Sequence, residues 1–254
     1  MSATPADSAR LALSWLTVAP VRGPEQVDRR VAGGAITVAP VVGLLLGAVT
    51  AGLLWVLGEA QAPALLAGLL AVGWLALATR GMHLDGLADT VDGLGCYGPP
   101  ERALSVMRDG STGPFAVVAL VLVLGVQAVG LSTLAVEGRW WAVVLAVAAG
   151  RVAVGWACRR GVAAARPEGL GALVAGTQPV AVPLAWGAVL LVASAAAVDG
   201  RWWQGPVAVL VGVAVAAALS WHTTRRFGGV TGDVLGACSE SVVTATVLVL
   251  ALGA

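Results

Sequence analysis

Seven apolar stretches dominate this chain, at residues 33–58, 62–79, 112–136, 140–158, 179–198, 204–224 and 231–253. Each approaches or exceeds the roughly 20 residues that a helix needs to cross about 30 Å of hydrocarbon. Inside a bilayer every backbone N–H and C=O must find its partner within protein, and the chain shows no alternating strand pattern, so these stretches fold as helices. The expectation is an all-α, polytopic integral membrane helix bundle of about seven transmembrane helices. The second stretch is short, and the last begins with polar residues.

Composition excludes the alternative of a soluble domain. The chain is 58% hydrophobic and 11% charged, against about 25% charged in soluble proteins. A net charge of +1 carries no basic stripe, so no nucleic-acid partner is expected. All fifteen basic residues are Arg; codon bias would produce the same skew, so it argues nothing about substrate. Cys96, Cys158 and Cys238 are isolated and form no CxxC pair, which indicates neither a disulfide framework nor a zinc site.

The arginines orient the bundle. Arg10, Arg22, Arg29 and Arg30 precede the first stretch; Arg80, Arg102 and Arg108 follow the second; Arg159, Arg160 and Arg166 follow the fourth; Arg225 and Arg226 follow the sixth. Basic residues accumulate in cytoplasmic loops, so the N-terminus is expected in the cytoplasm and the C-terminus outside. The opposite connections hold Arg139 and Arg201, within "VEGRWW" and "VDGRWW", whose paired tryptophans suit an interfacial belt. The run Leu11 to Val21 reads as an amphipathic interfacial helix rather than a signal peptide, since no A-x-A site follows it. Residues 1–254 are taken as one domain, with 1–30 as its interfacial N-terminal segment. Gly43 and Gly47 form a GxxxG in the first stretch, suited to close helix packing.

Polar residues then concentrate in three segments on the expected cytoplasmic side. In "HLDGLADTVDG", residues 83–93, helical spacing sets Asp85, Asp89 and Asp92 along one face beside His83. Three like charges near a membrane are costly, and a divalent cation held by their oxygens relieves the repulsion. In "MRDGSTGPF", Arg108 and Asp109 precede a helix that Pro114 opens, with Ser111 or Thr112 as its cap. In "RRFGGVTGDVLGACSE", the glycines at 228, 229 and 232 enter the last helix, whose free N–H groups attract phosphate, and Asp233 and Glu240 share one helix face. Arg151 stands alone inside the fourth stretch, either neutralising an acid or holding a phosphate.

Taken in this order, the three segments resemble cobalamin synthase, the membrane-bound adenosylcobinamide-GDP ribazoletransferase family of late vitamin B12 synthesis. The resemblance covers most of the chain; "DGSTG" departs from the family pattern, where a basic and an aliphatic residue stand between the Asp and the Gly. The resemblance implies that alpha-ribazole, or its 5'-phosphate, attacks adenosylcobinamide-GDP and expels GMP, with Mg²⁺ required. On that reading Asp85, Asp89, Asp92 and Asp233 hold metal, Asp109 completes the site, and His83 or an aspartate takes the hydroxyl proton. Arg80, Arg108 and Arg151, with Gly229 and Gly232, then bind the diphosphate or GMP. A CDP-alcohol phosphatidyltransferase is the nearest rival, but its DGxxAR signature needs Arg where this chain has Asp89. A cation transporter would put its acids near mid-bilayer rather than at one edge. Homo-oligomerisation is left open.

Overall fold

The computed structural model describes residues 4–253, so the ends of the 1–254 domain, residues 1–3 and 254, lie outside it. Among the described residues there are eleven α-helices and no strand beyond two isolated bridges. They are α1 (Pro5–Leu16), α2 (Arg29–Glu59), α3 (Ala64–Ala78), α4 (Met82–Gly95), α5 (Pro100–Val106), α6 (Pro114–Val136), α7 (Trp140–Ala157), α8 (Leu170–Val174), α9 (Ala181–Ala193), α10 (Gln204–Phe227) and α11 (Gly232–Ala251). A single turn of 3-10 helix, Ser194–Ala196, extends α9.

All seven apolar stretches are helical, and five of the helices (α2, α6, α7, α10 and α11) are long and apolar enough to cross a membrane unaided. The count of seven is met only loosely. At 15 and 13 residues, α3 and α9 are about 22 and 20 Å long, short of a full bilayer. The chain leaves α3 through a 91° bend into α4, with Arg80 and Gly81 both at positive φ. That bend turns α4 away from the direction of α3; the two reach spanning length only when taken together, so α4 is not itself one of the helices that cross unaided.

Helix α7 is the axis of the bundle, buried over almost its whole length. Helix α2 reaches it through the expected GxxxG: a methyl group at Gly47 would sit 2.8 Å from the Val144 Cα, and one at Gly43 2.9 Å from the Ala148 Cα. The two arginines of the repeated "GRWW" segments serve the far end of α11. Arg139 donates to the Leu250 carbonyl at 2.9 Å and Arg201 to that of Leu252 at 3.5 Å, while the Gln204 amide donates to Val249 and Leu252. These side chains satisfy carbonyls that a helix end leaves unpaired.

The N-terminal helix occupies Pro5–Leu16 rather than residues 11–21. A capping box between Thr4 and Asp7 starts it, and it stops short of Pro20, whose predecessor is biased to extended backbone. Its C-terminal carbonyls at Ser14 and Trp15 accept bonds of 2.8 and 3.0 Å from Arg80.

Candidate active site

The site grows from a close crossing of α4 and α11. A Cβ on Gly86 would lie 2.7 Å from the Asp233 carbonyl oxygen, and one on Gly236 would lie 2.9 Å from the His83 carbonyl oxygen. Only glycine at both positions lets the two backbones approach this far. The crossing sets Asp85 and Asp89 of α4 against Asp233 in the first turn of α11. Burial raises the Asp89 carboxyl from its ordinary 3.8 to about 6, and the charges of Asp85, Asp233 and Asp92 add to the shift.

The counter-charge comes from Arg166, which the sequence had marked only as a loop arginine. Its Nη1 lies 3.5 Å from Asp233 Oδ2 and its Nη2 donates to the Leu104 carbonyl at 2.9 Å. The loop that carries it, between α7 and α9, is laced to the entry of α11: Val230 N–H donates to Ala163 at 2.9 Å and Ala165 N–H to Val230 at 3.0 Å. No local pattern marks Arg166, because its partners come from α5 and α11. Exposed Arg108 stands near it and forms a 3.5 Å pair with Glu168.

Several expected roles are redirected. Asp92 caps α6: its carboxylate accepts Gly113 N–H at 2.6 Å and Ala116 N–H at 3.1 Å. Neither Ser111 nor Thr112 caps that helix, since its first turn already has a charged acceptor. Asp92, expected as a metal ligand, serves in this structure as the cap of α6, and an anion suits a helix N-terminus. Gly229, expected at a phosphate, abuts the loop backbone, a Cβ there meeting the Ala163 carbonyl oxygen at 2.5 Å. Gly232 begins α11 beside Leu170, and Gly228, at φ 78°, ends α10 in the left-handed conformation common after helices.

Arg80 is committed to the end of α1. Arg151 is 3% exposed and donates to Ser239 Oγ at 2.6 Å inside the bundle. Glu240, two turns below Asp233, accepts a 2.9 Å bond from Gln127. His83 is 4% exposed, its Nδ1 has no hydrogen-bond partner, and burial followed by the Arg151 charge pushes it well below its ordinary value. The structure therefore turns His83 inward, toward Arg151, rather than bringing it to the acids. Asp109 is exposed in the turn before α6, and no side-chain bond ties it to the cluster.

Among the described residues no three His, Cys, Asp or Glu side chains converge closely enough to hold a metal ion by themselves. The donor chemistry of Asp85, Asp89 and Asp233 still suits a hard divalent cation, which takes carboxylate oxygens and leaves positions for water and phosphate. Of the three carboxylates, Asp233 alone pairs with Arg166 among the described residues, at 3.5 Å, so the cluster has negative charge to spare.

Fold and site together define a polytopic membrane protein with a carboxylate and guanidinium face at one end of its helix bundle, an arrangement suited to phosphate-bearing substrates. A family model described as cobalamin-5-phosphate synthase matches residues 8–251. The chain belongs to that family. It is 40% identical over 262 residues to the adenosylcobinamide-GDP ribazoletransferase of Frankia casuarinae, covering 96% of this chain and 94% of that one. It is 43% identical over 242 residues to the Nocardioides sp. enzyme of the same name, with 95% and 97% covered. Against that of Pseudomonas putida F1 the identity is 39% over 247 residues, with 96% and 98% covered. No solved structure matches the chain.

Proposed function

We propose that this chain is an adenosylcobinamide-GDP ribazoletransferase. It joins adenosylcobinamide-GDP to alpha-ribazole, or to its 5'-phosphate, and releases GMP to leave adenosylcobalamin or its 5'-phosphate. The observation that carries the reading is the family match across residues 8–251, with Asp85, Asp89, Asp233 and Arg166 meeting on one face. Mg²⁺ belongs to the same proposal: Asp85, Asp89 and Asp233 would hold it, and it would polarise the phosphoryl oxygens of the diphosphate.

The chain's own groups divide the remaining work. Arg166 pairs with Asp233 and Arg108 stands near Arg166; both would offer donors to the diphosphate and the departing GMP. His83 is buried away from the face, so the proton of the attacking hydroxyl falls to a carboxylate of the cluster. Like charges and burial favour that transfer, because they raise the affinity of a carboxylate for a proton. The arginines gathered at this end support a cytoplasmic face in the bacterial inner membrane.

The test is release of GMP from adenosylcobinamide-GDP by the purified protein with Mg²⁺. Release should depend on added alpha-ribazole or its 5'-phosphate, and the corrinoid product should gain the ribazole mass. GMP release at the same rate without ribazole, or none with it, would remove the proposal.

A further inference from the structure

Helices α7, α9 and α10 leave between them an apolar cleft of about 270 Å³. Along α7 its wall is Ala149, Ala153 and Trp156; along α10 it is Val209, Val213 and Ala216. Both stripes follow helical spacing toward the end of the bundle that carries the acids. Leu184 and Leu210, also in the lining, are 55% and 56% exposed, so the cleft opens outward between membrane-crossing helices. Its surroundings are therefore hydrocarbon, and an apolar cleft of this kind does not hold water.

The cleft ends at a guanidinium. One turn beyond Ala216 on the same stripe is Ser220, whose Oγ accepts a 2.9 Å bond from Arg159 Nη1. The same Nη1 donates to the Trp156 carbonyl at 3.1 Å, and the Arg159 guanidinium lies 4.8 Å from the Trp156 ring centroid. These bonds fix the cation against Trp156 and against Ser220, one turn beyond the lining of the cleft, while its Nε and Nη2 make no hydrogen bond among the described residues. Arg160, next in the chain, is exposed.

A hydrocarbon-lined slot capped by a fixed cation and a second, free one matches an acyl chain joined to a phosphate. The geometry points to a bound anionic phospholipid, with one acyl chain in the cleft between α7, α9 and α10 and its phosphate on Arg159 and Arg160. Basic pockets between membrane helices attract such headgroups. Both arginines open the loop whose Arg166 meets Asp233, so an occupied cleft tethers that loop to the bilayer.

Native mass spectrometry of the full chain, released from detergent and titrated with phosphatidylglycerol or phosphatidylcholine of identical acyl chains, tests this. The wild type should retain phosphatidylglycerol about tenfold better. Gly187 lines the cleft with nothing within 4 Å of its Cβ position; Gly187→Leu should fill the space without disturbing packing and lose both lipids. Arg159→Gln should keep a chain-dependent remnant and lose the preference; if that variant does not fold, Gly187→Leu decides alone. Equal retention of the two lipids by the wild type would overturn the inference. So would unchanged binding in Gly187→Leu, or a dimer that closes the cleft and excludes lipid.

Discussion

At Asp89 a carboxyl raised to about 6 keeps its proton at pH 5 and gives it up by pH 7. A cation binding to the face must displace that proton, so Mg²⁺ affinity should rise by up to about tenfold per pH unit below 6 and flatten above it. The metal-free protein should behave in the opposite sense. A raised acid stabilises the fold below its ordinary 3.8 and loses that contribution as pH climbs through about 6, so the thermal midpoint should fall across this window and recover with Mg²⁺. Calorimetric titration at pH 5 and pH 7 reads the affinity, and a flat profile would take Asp89 out of the metal site. Asp89→Asn should reduce GMP release by roughly 10²-fold or more. Asp92 offers the contrast: Asn caps a helix about as well as Asp, so Asp92→Asn should keep GMP release within a few-fold of wild type. Asp92→Ala should cost about 1 kcal/mol of stability. Loss of turnover in the Asn variant would return Asp92 to the metal ligands. The spacing of the three acids was readable in "HLDGLADTVDG"; the separate duty of Asp92 was not, because its partners at 113 and 116 meet it only through the fold.

Among the elements, α4 and α11 matter most for the site, and two glycines set how closely they cross. Gly86→Ala would drive a methyl group into the Asp233 backbone, where the atoms at 2.7 and 2.9 Å are main-chain atoms that cannot swing aside. Overpacking of this kind costs about 1–3 kcal/mol, and here it also separates Asp89 from Asp233. The variant should show a lower thermal midpoint and a larger loss of GMP release than of stability. Gly73→Ala in α3 meets nothing within 4 Å and gains helix propensity, so it should leave both unchanged. If Gly86→Ala were as mild as Gly73→Ala, the close crossing would not support the site. Hydropathy revealed the seven apolar helices, since burial in lipid writes its demand on each segment separately; α4 was legible only from the spacing of its acids, and the bounds of α1 and the short α5 and α8 were not legible. Hydropathy overestimated α3 and α9 because apolar residues continue into the turns that end them.

Across the whole molecule, the charges buried in the bundle hold α7, α6 and α11 in one arrangement. Arg151, Glu240 and Gln127 line the same small space of about 20 Å³, and Gln127 donates to Glu240 at 2.9 Å. Removing one buried charge leaves the other uncompensated: Arg151→Ala should lower the thermal midpoint, whereas Arg151→Met combined with Glu240→Gln should recover most of the loss. Thermal midpoints in detergent check this, and a double variant no better than Arg151→Ala would show that the two side chains do not act as a pair. By itself the sequence determined that the protein is a membrane helix bundle, that its charges gather at one end, and that one helix carries acids on a single face. Those are local properties, set by hydropathy and by 3.6-residue periodicity. Only the tertiary structure decided which charges meet. It drew Asp233 and Arg166, distant in the chain, to Asp85 and Asp89, and it spent Asp92, Arg80 and Gly229 on capping and packing. It also turned His83 and Arg151 inward. A side chain's partner depends on which backbones cross and how closely, and no segment carries that information alone.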